Sequence, residues 1–328
     1  MNDVSSIVAA DDAFLADVHD GLSRAKKVLP CRWLYDERGS DLFEAITRLD
    51  EYYPTRVETT ILRGCSREIA DFAGEAPVLI EYGSGAGVKT ELVLGALRAP
   101  VGYVPIDVAE EYLVQSARRI ESRFPALWVG PVNRDFLSVF DLPTSVPPGR
   151  RIGFFPGSTI GNLDAREARA FLSQMRRHVG QGGAAIVGVD LRKDVGTLLR
   201  AYDDREGVTA QFNLNILARI NRELGGEFRL DQFRHEARWN AVENAVEMHL
   251  VSLADQRASV GGLEIRFREG ETIHTESSRK YDRKGFESLA GAAGWRISAA
   301  WVDGAGLFSV FAMSPRAVEK AGPARHQI

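Results

Sequence analysis

Cysteine is scarce in this chain: 328 residues contain only Cys31 and Cys65. Two isolated thiols make no disulfide framework, and neither has a CxxC partner, so a dithiol redox role is excluded and a reducing, cytoplasmic setting is expected. The six histidines form no H-E-x-x-H motif and no i, i+4 pair, so no metal site is expected. No apolar run approaches the ~18 residues of a membrane span, and the acidic, charge-punctuated start is unlike a signal peptide. An excess of positive charge is also missing. The balance of 41 basic and 45 acidic residues gives −4, so neither nucleic acid nor an anionic membrane is expected as a partner. The pair Arg118-Arg119 falls at helical spacing and reads as a solvated face. With no internal repeat and no exposed heptad seam, the chain is expected to work as a monomer.

What is present belongs to a soluble globular protein: 45% hydrophobic and 26% charged residues. The length allows one large or two ordinary domains. The most informative stretch is Val78 to Thr90, VLIEYGSGAGVKT. An apolar run ends in an acid, a three-glycine loop follows, and TELVLGALR has helical spacing. Such a strand–loop–helix unit lets a ligand approach the backbone and aims helix N–H groups at its oxygens. The order Glu81-x-Gly83-x-Gly85-x-Gly87 resembles the S-adenosyl-L-methionine loop of class I methyltransferases. A dinucleotide fingerprint starting at Gly83 needs glycine at position 88, where Val88 stands.

From Val78 strands and helices alternate. Strands are expected at Val78–Tyr82, Gly102–Ile106, Leu127–Val129, Arg151–Phe155 and Ala184–Val189. Helices are expected at Lys89–Leu97, Glu110–Arg123 and Ala165–His178. This rhythm implies an α/β fold, a doubly wound, Rossmann-like sheet that binds ligands at the C-terminal ends of its strands. Before it, Asp11-Asp12 and Ser40-Asp41 are candidate caps for helices Ala13–Leu22 and Leu42–Arg48. After it come one long helical stretch, Val195–Leu224, and the alternating segments RWNAVENAVEMHLVSL and LEIRFREGETIHTES, read as antiparallel strands. Helix Arg283–Ala293 and a hairpin of Trp295–Trp301 with Leu307–Met313 return to the first sheet. The tail Ser314–Ile328 is polar without period and is expected to fray. The implied division is a methyltransferase domain at residues 58–192 and 280–316, and an α+β substrate-binding lobe at residues 5–57 and 193–279.

Four features converge on the strand ends. The glycine loop comes first. Asp107, 20 residues after Gly87, closes the second strand, where an acid can accept both ribose hydroxyls of an adenosine. Asp135 can take an exocyclic amine and Phe136 can cover an adenine face. Lys89, in the first turn of the helix, can meet the donor's methionine carboxylate. Taken singly, Asp107 reads equally as a helix cap, Phe136 as core and Lys89 as a surface residue. The order along the chain favours S-adenosyl-L-methionine as methyl donor.

The loop Phe155-Pro156-Gly157-Ser158-Thr159-Ile160-Gly161-Asn162 falls where an acceptor meets the methyl group. With the blocks WLYDERGSDLFEAIT, EYYPTR, GSTIGNL, LLRAYDDREGVTAQFNLNIL and VEMHL, the chain resembles the L-histidine Nα-methyltransferase family of ergothioneine biosynthesis over residues 10 to 313. The resemblance implies trimethylation of free L-histidine to hercynine. It further implies that Tyr52, Asn162 and Tyr202 grip the α-carboxylate and amine near the Gly157 carbonyl, that Tyr35 lines the amine side, that Glu276 and Ser278 hold the imidazole, and that Met248 walls that ring. Gly83, Lys89, Asp107, Asp135 and Phe136 match its donor-site pattern, and Tyr35 and Asn162 are the candidates for catalytic roles.

Physical chemistry agrees with these assignments. The attacking amine must be neutral and in line with the S–CH₃ bond, so positioning should supply most of the rate. Phenols and an amide hold a carboxylate without adding a competing cation, and asparagine serves where aspartate would repel it. A site built to bond both imidazole nitrogens rejects an apolar ring. Three alternatives remain at this stage: the same fold acting on free tryptophan or tyrosine, a nicotinamide-dependent dehydrogenase, and a non-catalytic binding protein. Glu276 opposes the first; Val88 and Asp135-Phe136 oppose the second.

Overall fold

A computed structural model describes residues 4–85 and 87–317, with side chains from residue 12 onward. The eight-stranded sheet runs Trp295–Val302, Phe308–Pro315, Ala184–Asp190, Arg151–Phe155, Val78–Tyr82, Gly102–Asp107 and Trp128–Val129, with Val132–Asn133 also beside Gly102–Asp107. Its strands are parallel except for the closing hairpin, whose Phe308–Pro315 pairs antiparallel to Ala184–Asp190. This is the doubly wound class I methyltransferase sheet expected from the sequence. Ser314 and Pro315 extend the last strand, and the expected fraying beyond residue 317 lies outside the described residues.

Both faces of the sheet are covered, which is why Val78–Tyr82 is buried throughout. Val78, Ile80 and Tyr82 pack with helices Ala165–Val179 and Arg283–Ala292. Leu79 packs on the other face with Tyr53–Gly64, Ser66–Ala73, Val88–Ala96 and Glu110–Arg123. Local chemistry sets the helix ends. Asp164 and Glu167 make a reciprocal capping box, and Asp194 and Asp282 each accept a backbone N–H three residues on.

A second sheet, of Lys27–Val28, Thr272–Arg279, Ala245–Ser252 and Phe233–Asn240, has its own core. Phe14, Val18 and Leu22 line one face of helix Val4–Ser23, and Phe212, Ile216 and Ile220 line one face of Val208–Leu224. They meet over Met248, Leu250 and Ile273. Lys27–Val28 runs parallel to Ile273–His274, so the first part of the chain completes a sheet supplied by its second half.

Three expectations about helices are corrected. Helix Val4–Ser23 runs through Asp11-Asp12, so that pair caps nothing. The second helix is Glu37–Ile46, and its cap is Asp36, which accepts from Gly39 N; Ser40-Asp41 lie inside it. The long stretch Val195–Leu224 is two helices, Val195–Tyr202 and Val208–Leu224. Asp204 breaks it by capping Val208 N and Thr209 N, with Gly207 at φ +72° supplying the reversal. The third strand also begins at Trp128 rather than Leu127.

Candidate functional site

The strand order reverses between Val78–Tyr82 and Arg151–Phe155, and the loops leaving their carboxyl ends frame the candidate site. The first is the glycine loop. Gly83, Gly85 and Gly87 all have positive φ, a conformation side chains rarely take. The Phe136 ring edge lies 3.8 Å from where a Gly83 Cβ would stand, so the bare backbone and the ring share one wall. Phe136 also packs edge-on against Phe155 and Phe171 and so serves the core as well. The Ser84 hydroxyl is buried with no hydrogen-bond partner among the described residues, and Gly85 faces open space. An open loop with an orphan polar atom fits a polar, adenosine-bearing donor.

Asp107 ends the second strand, as expected. It is not the cap of helix Glu110–Arg123, whose cap position is Ala109; it makes a tight turn by accepting from Ala109 N at 3.0 Å. Burial raises its carboxyl above the ordinary value, against the N–H groups of Ala109, Gly85, Val108 and Ser84, which draw it down. Asp135 accepts from Leu137 N at 2.8 Å, holding its own loop. Glu81, the acid opening the glycine motif, turns back into the protein: it accepts from Thr90 and Tyr103, and burial pushes it up to about 7.

Lys89 is neither a loose surface residue nor an unpaired cation. Its ammonium pairs with Glu58, a carboxylate 1% exposed. Glu58 in turn accepts from Gly157 N at 2.9 and 3.0 Å. One buried carboxylate on helix Tyr53–Gly64 therefore ties the helix of the donor loop to the acceptor loop. It has room only because Gly188 lacks a side chain: a Cβ there would sit 1.9 Å from Glu58 Oε1.

The acceptor loop folds tightly, with Gly157 at φ +81° and Ser158 at φ +59°, and ends in a short turn Thr159–Asn162. The second lobe abuts it. A Cβ at Gly161 would stand 2.6 Å from the Arg279 carbonyl oxygen, so glycine permits the contact. This approach brings Asn162 Nδ2 within 2.8 Å of Glu276 Oε1. Glu276 is buried and pushed up to about 7 by burial; nearby Lys280 and hydrogen bonds from Asn162 and Tyr35 oppose the rise.

Glu276 and Ser278 share one face of Thr272–Arg279, with Met248 opposite Glu276 on the paired strand. A bulge at Thr275 sets this alternation: the Thr275 hydroxyl donates to Asn213 and to the Met248 carbonyl, and the register shifts there. Ser277 points the other way, to His274. Tyr202 OH lies 2.7 Å from Ser278 Oγ, and the Tyr52 and Tyr202 rings meet edge to face at 6.1 Å. Tyr35 packs on Phe43 and Phe212. Burial raises the hydroxyls of Tyr35, Tyr52 and Tyr202 well above the ordinary phenol value.

The structure thus links Tyr35, Tyr52, Asn162, Tyr202, Met248, Glu276 and Ser278 in one chain of neighbours through ring contacts, strand pairing and hydrogen bonds, with Gly157 in the same loop as Asn162. Sequence reasoning missed the charges beneath. Asp190, fully buried, accepts from Tyr53 at 2.9 Å and pairs with Lys193 and with Lys280, the latter at 2.7 Å. Burial pushes Lys193 down to about 8, with Asp190 opposing. Asp190 directly follows the expected strand Ala184–Val189, an acid at a strand end like Asp107; nothing local signalled Glu58 or Lys280.

Comparison with known proteins bears on this geometry. Residues 14–315 match the model of a family described as histidine-specific, SAM-dependent methyltransferases. The chain is 42% identical to a histidine N-alpha-methyltransferase of Mycolicibacterium smegmatis over 94% of this chain and 97% of that one. It is equally identical to the Mycobacterium tuberculosis protein of that name, over 91% and 94%. It is 30% identical to ergothioneine biosynthesis protein 1 of Neurospora crassa, over 84% of this chain and 32% of that one.

Proposed function

This chain belongs to the SAM-dependent, histidine-specific methyltransferase family, and from that premise we propose that it transfers methyl groups from S-adenosyl-L-methionine to the α-amine of free L-histidine. The product on this reading is hercynine, formed in three rounds as the first step of ergothioneine biosynthesis. The observation that carries the reading is the meeting of Glu276 and Ser278, side by side on one strand face, with Asn162 at the carboxyl end of the donor sheet. We read residues 58–192 and 280–316 as the donor domain and residues 5–57 and 193–279 as the substrate lobe. The enzyme works as a cytoplasmic monomer on this reading, without nucleic acid or membrane. Among the described residues no helix is long and apolar enough to cross a membrane.

When bound, the donor supplies an electrophilic methyl on a sulfonium. Gly83, Asp107, Asp135 and Phe136 would hold its nucleoside end. Lys89, already anchored by Glu58, would face its carboxylate. On the acceptor side Tyr52, Asn162 and Tyr202 orient the zwitterion, with Gly157 and Met248 closing the walls, while Glu276 accepts an imidazole N–H and Ser278 meets the other nitrogen. Positioning supplies the rate, since alkylating a neutral amine needs no leaving-group proton. Burial keeps Tyr35 a phenol at neutral pH, so it acts as a hydrogen-bonding relay that passes the amine proton on to solvent between rounds and not as a phenolate base.

The test is the mass of the products formed from histidine, tryptophan and tyrosine together with excess donor. Three added methyl groups on histidine alone are expected; methylation of tryptophan or tyrosine in preference would refute the reading.

A further inference from the structure

Lys280 lies just past the strand that carries Glu276 and Ser278, 2% exposed, its backbone N–H donating to the Asn244 carbonyl at 2.7 Å. An ammonium has three donors and no acceptor. All three have partners here: Asp190 Oδ2 at 2.7 Å, Tyr202 OH at 2.8 Å and Ser278 Oγ at 2.8 Å. Each hydroxyl therefore spends a lone pair on the lysine and must send its own proton elsewhere. Because Tyr202 and Ser278 are 2.7 Å apart, one donates to the other, and a single proton is left to point out of the network. When Tyr202 donates to Ser278, both serine lone pairs are taken, Ser278 faces the ring as a donor only, and Tyr202 keeps one lone pair to accept from the substrate's amine; the opposite direction would leave Ser278 a free lone pair. Asp190 does not cancel the lysine charge completely, because Lys193 shares the same carboxylate.

We propose that Tyr202 is the donor to Ser278 and that Lys280 is a positioning residue, taking one lone pair of each hydroxyl, so that Ser278 offers a proton to the bound ring and the site selects neutral imidazole over imidazolium. The proposal rests on the histidine reading above. Neutral imidazole has one N–H and one lone pair. Its N–H goes to Glu276 and its lone pair accepts from Ser278. An imidazolium brings two N–H groups, one of which would oppose the Ser278 proton and the Lys280 charge behind it. Lys280 touches no substrate atom; it acts through the two hydroxyls.

The test compares KM for histidine with KM for 1,2,4-triazolyl-3-alanine, whose ring stays neutral from pH 5.5 to 8. The charged and titratable groups around the ring site are Glu276 on the same strand, Tyr202 on its helix with His235 against its carbonyl, Asp190 closing a strand of the first sheet and Lys193 just past it, Tyr52 and Tyr53 at the start of helix Tyr53–Gly64, Tyr35, and Cys31 beside Glu276. All serve both substrates, so their titration cancels in the ratio. In the unaltered enzyme the ratio of KM for histidine to KM for the triazole rises about tenfold from pH 8 to 5.5, following a ring that protonates near pH 6.5. In Lys280→Met it changes by less than about threefold, because Ser278 is then free to accept. A full tenfold rise in Lys280→Met overturns the proposal. Calorimetric binding of S-adenosylhomocysteine checks that the variant is folded. If it does not bind, the same ratio is read in Ser278→Ala, where flattening supports the proposal and an unchanged slope overturns it. Failure of the underlying histidine reading is seen separately, as no methylation of histidine by the unaltered enzyme.

Discussion

Glu276→Gln should make the protein more stable and less able to bind its substrate. The carboxyl sits at about 7 in the fold against 4.5 for an ordinary glutamate, because burial outweighs Lys280, Asn162 and Tyr35. Below pH about 4.5 the group is protonated in both folded and unfolded chains, and ionisation costs nothing. As pH rises to about 7 the unfolded chain gives up its proton while the folded chain holds it, so the fold steadily loses stability. Above that the loss is complete. At about 1.36 kcal/mol per pH unit it amounts to roughly 3 kcal/mol at pH 8 and under about 1 kcal/mol at pH 5. Glutamine keeps the acceptor for Asn162 and carries no charge, so the variant recovers that difference. Thermal unfolding at the two pH values reads it, with a gain of roughly 5 °C at pH 8 and little at pH 5. Glu81, which titrates in the same range, is present in both proteins and cancels. KM for histidine should rise about tenfold or more, because a hydrogen bond to a charged acceptor is worth about 1.5–3 kcal/mol. Equal melting temperatures for variant and parent at pH 8, or a gain of the same size at pH 5, would refute the reasoning.

Glu58→Ala strips Lys89 and Gly157 N of a shared buried partner and should cost about 3 kcal/mol in urea unfolding, with a raised KM for the methyl donor. Gly188→Ala drives a methyl into Glu58 Oε1 and should cost about 2 kcal/mol or more by the same measurement. Tyr35→Phe should slow methylation of dimethylhistidine and alter its pH–rate profile; an unchanged rate removes the hydroxyl from the mechanism. Cys31 and Cys65, whose thiols burial pushes up to about 12, should resist iodoacetamide at pH 7.5 in the native protein, as read by intact mass.

The eight-stranded sheet and its loops were legible because their signals are local. A doubly covered strand is apolar throughout, a loop that needs positive φ is written in glycine, and Asp107 and Asp135 end their strands within a few residues of the apolar runs that place them. Glu276 and Ser278 were named through the family resemblance, on a strand read from its alternation, and they share one face of that strand. The charges beneath it were not. Glu58 looks like one more polar residue in an amphipathic helix, and only the tertiary fold shows that it faces Gly157 from 99 residues away and Gly188 from further still. Lys280 joins Asp190 and Tyr202 across three separate elements. The broken helix was a different kind of miss: Asp204 and Gly207 carried the cap and the reversal in the sequence, but the apolar period on either side dominated the reading.

The parallel pairing of Lys27–Val28 with Ile273–His274 has a consequence during synthesis. The opening helix leaves the ribosome long before the strand that completes its sheet has been made. At bacterial or eukaryotic elongation speeds the interval is on the order of ten to fifty seconds. Through that time Phe14, Val18 and Leu22 have no finished surface to cover them, and the helix that carries them is the segment a chaperone would be expected to grasp.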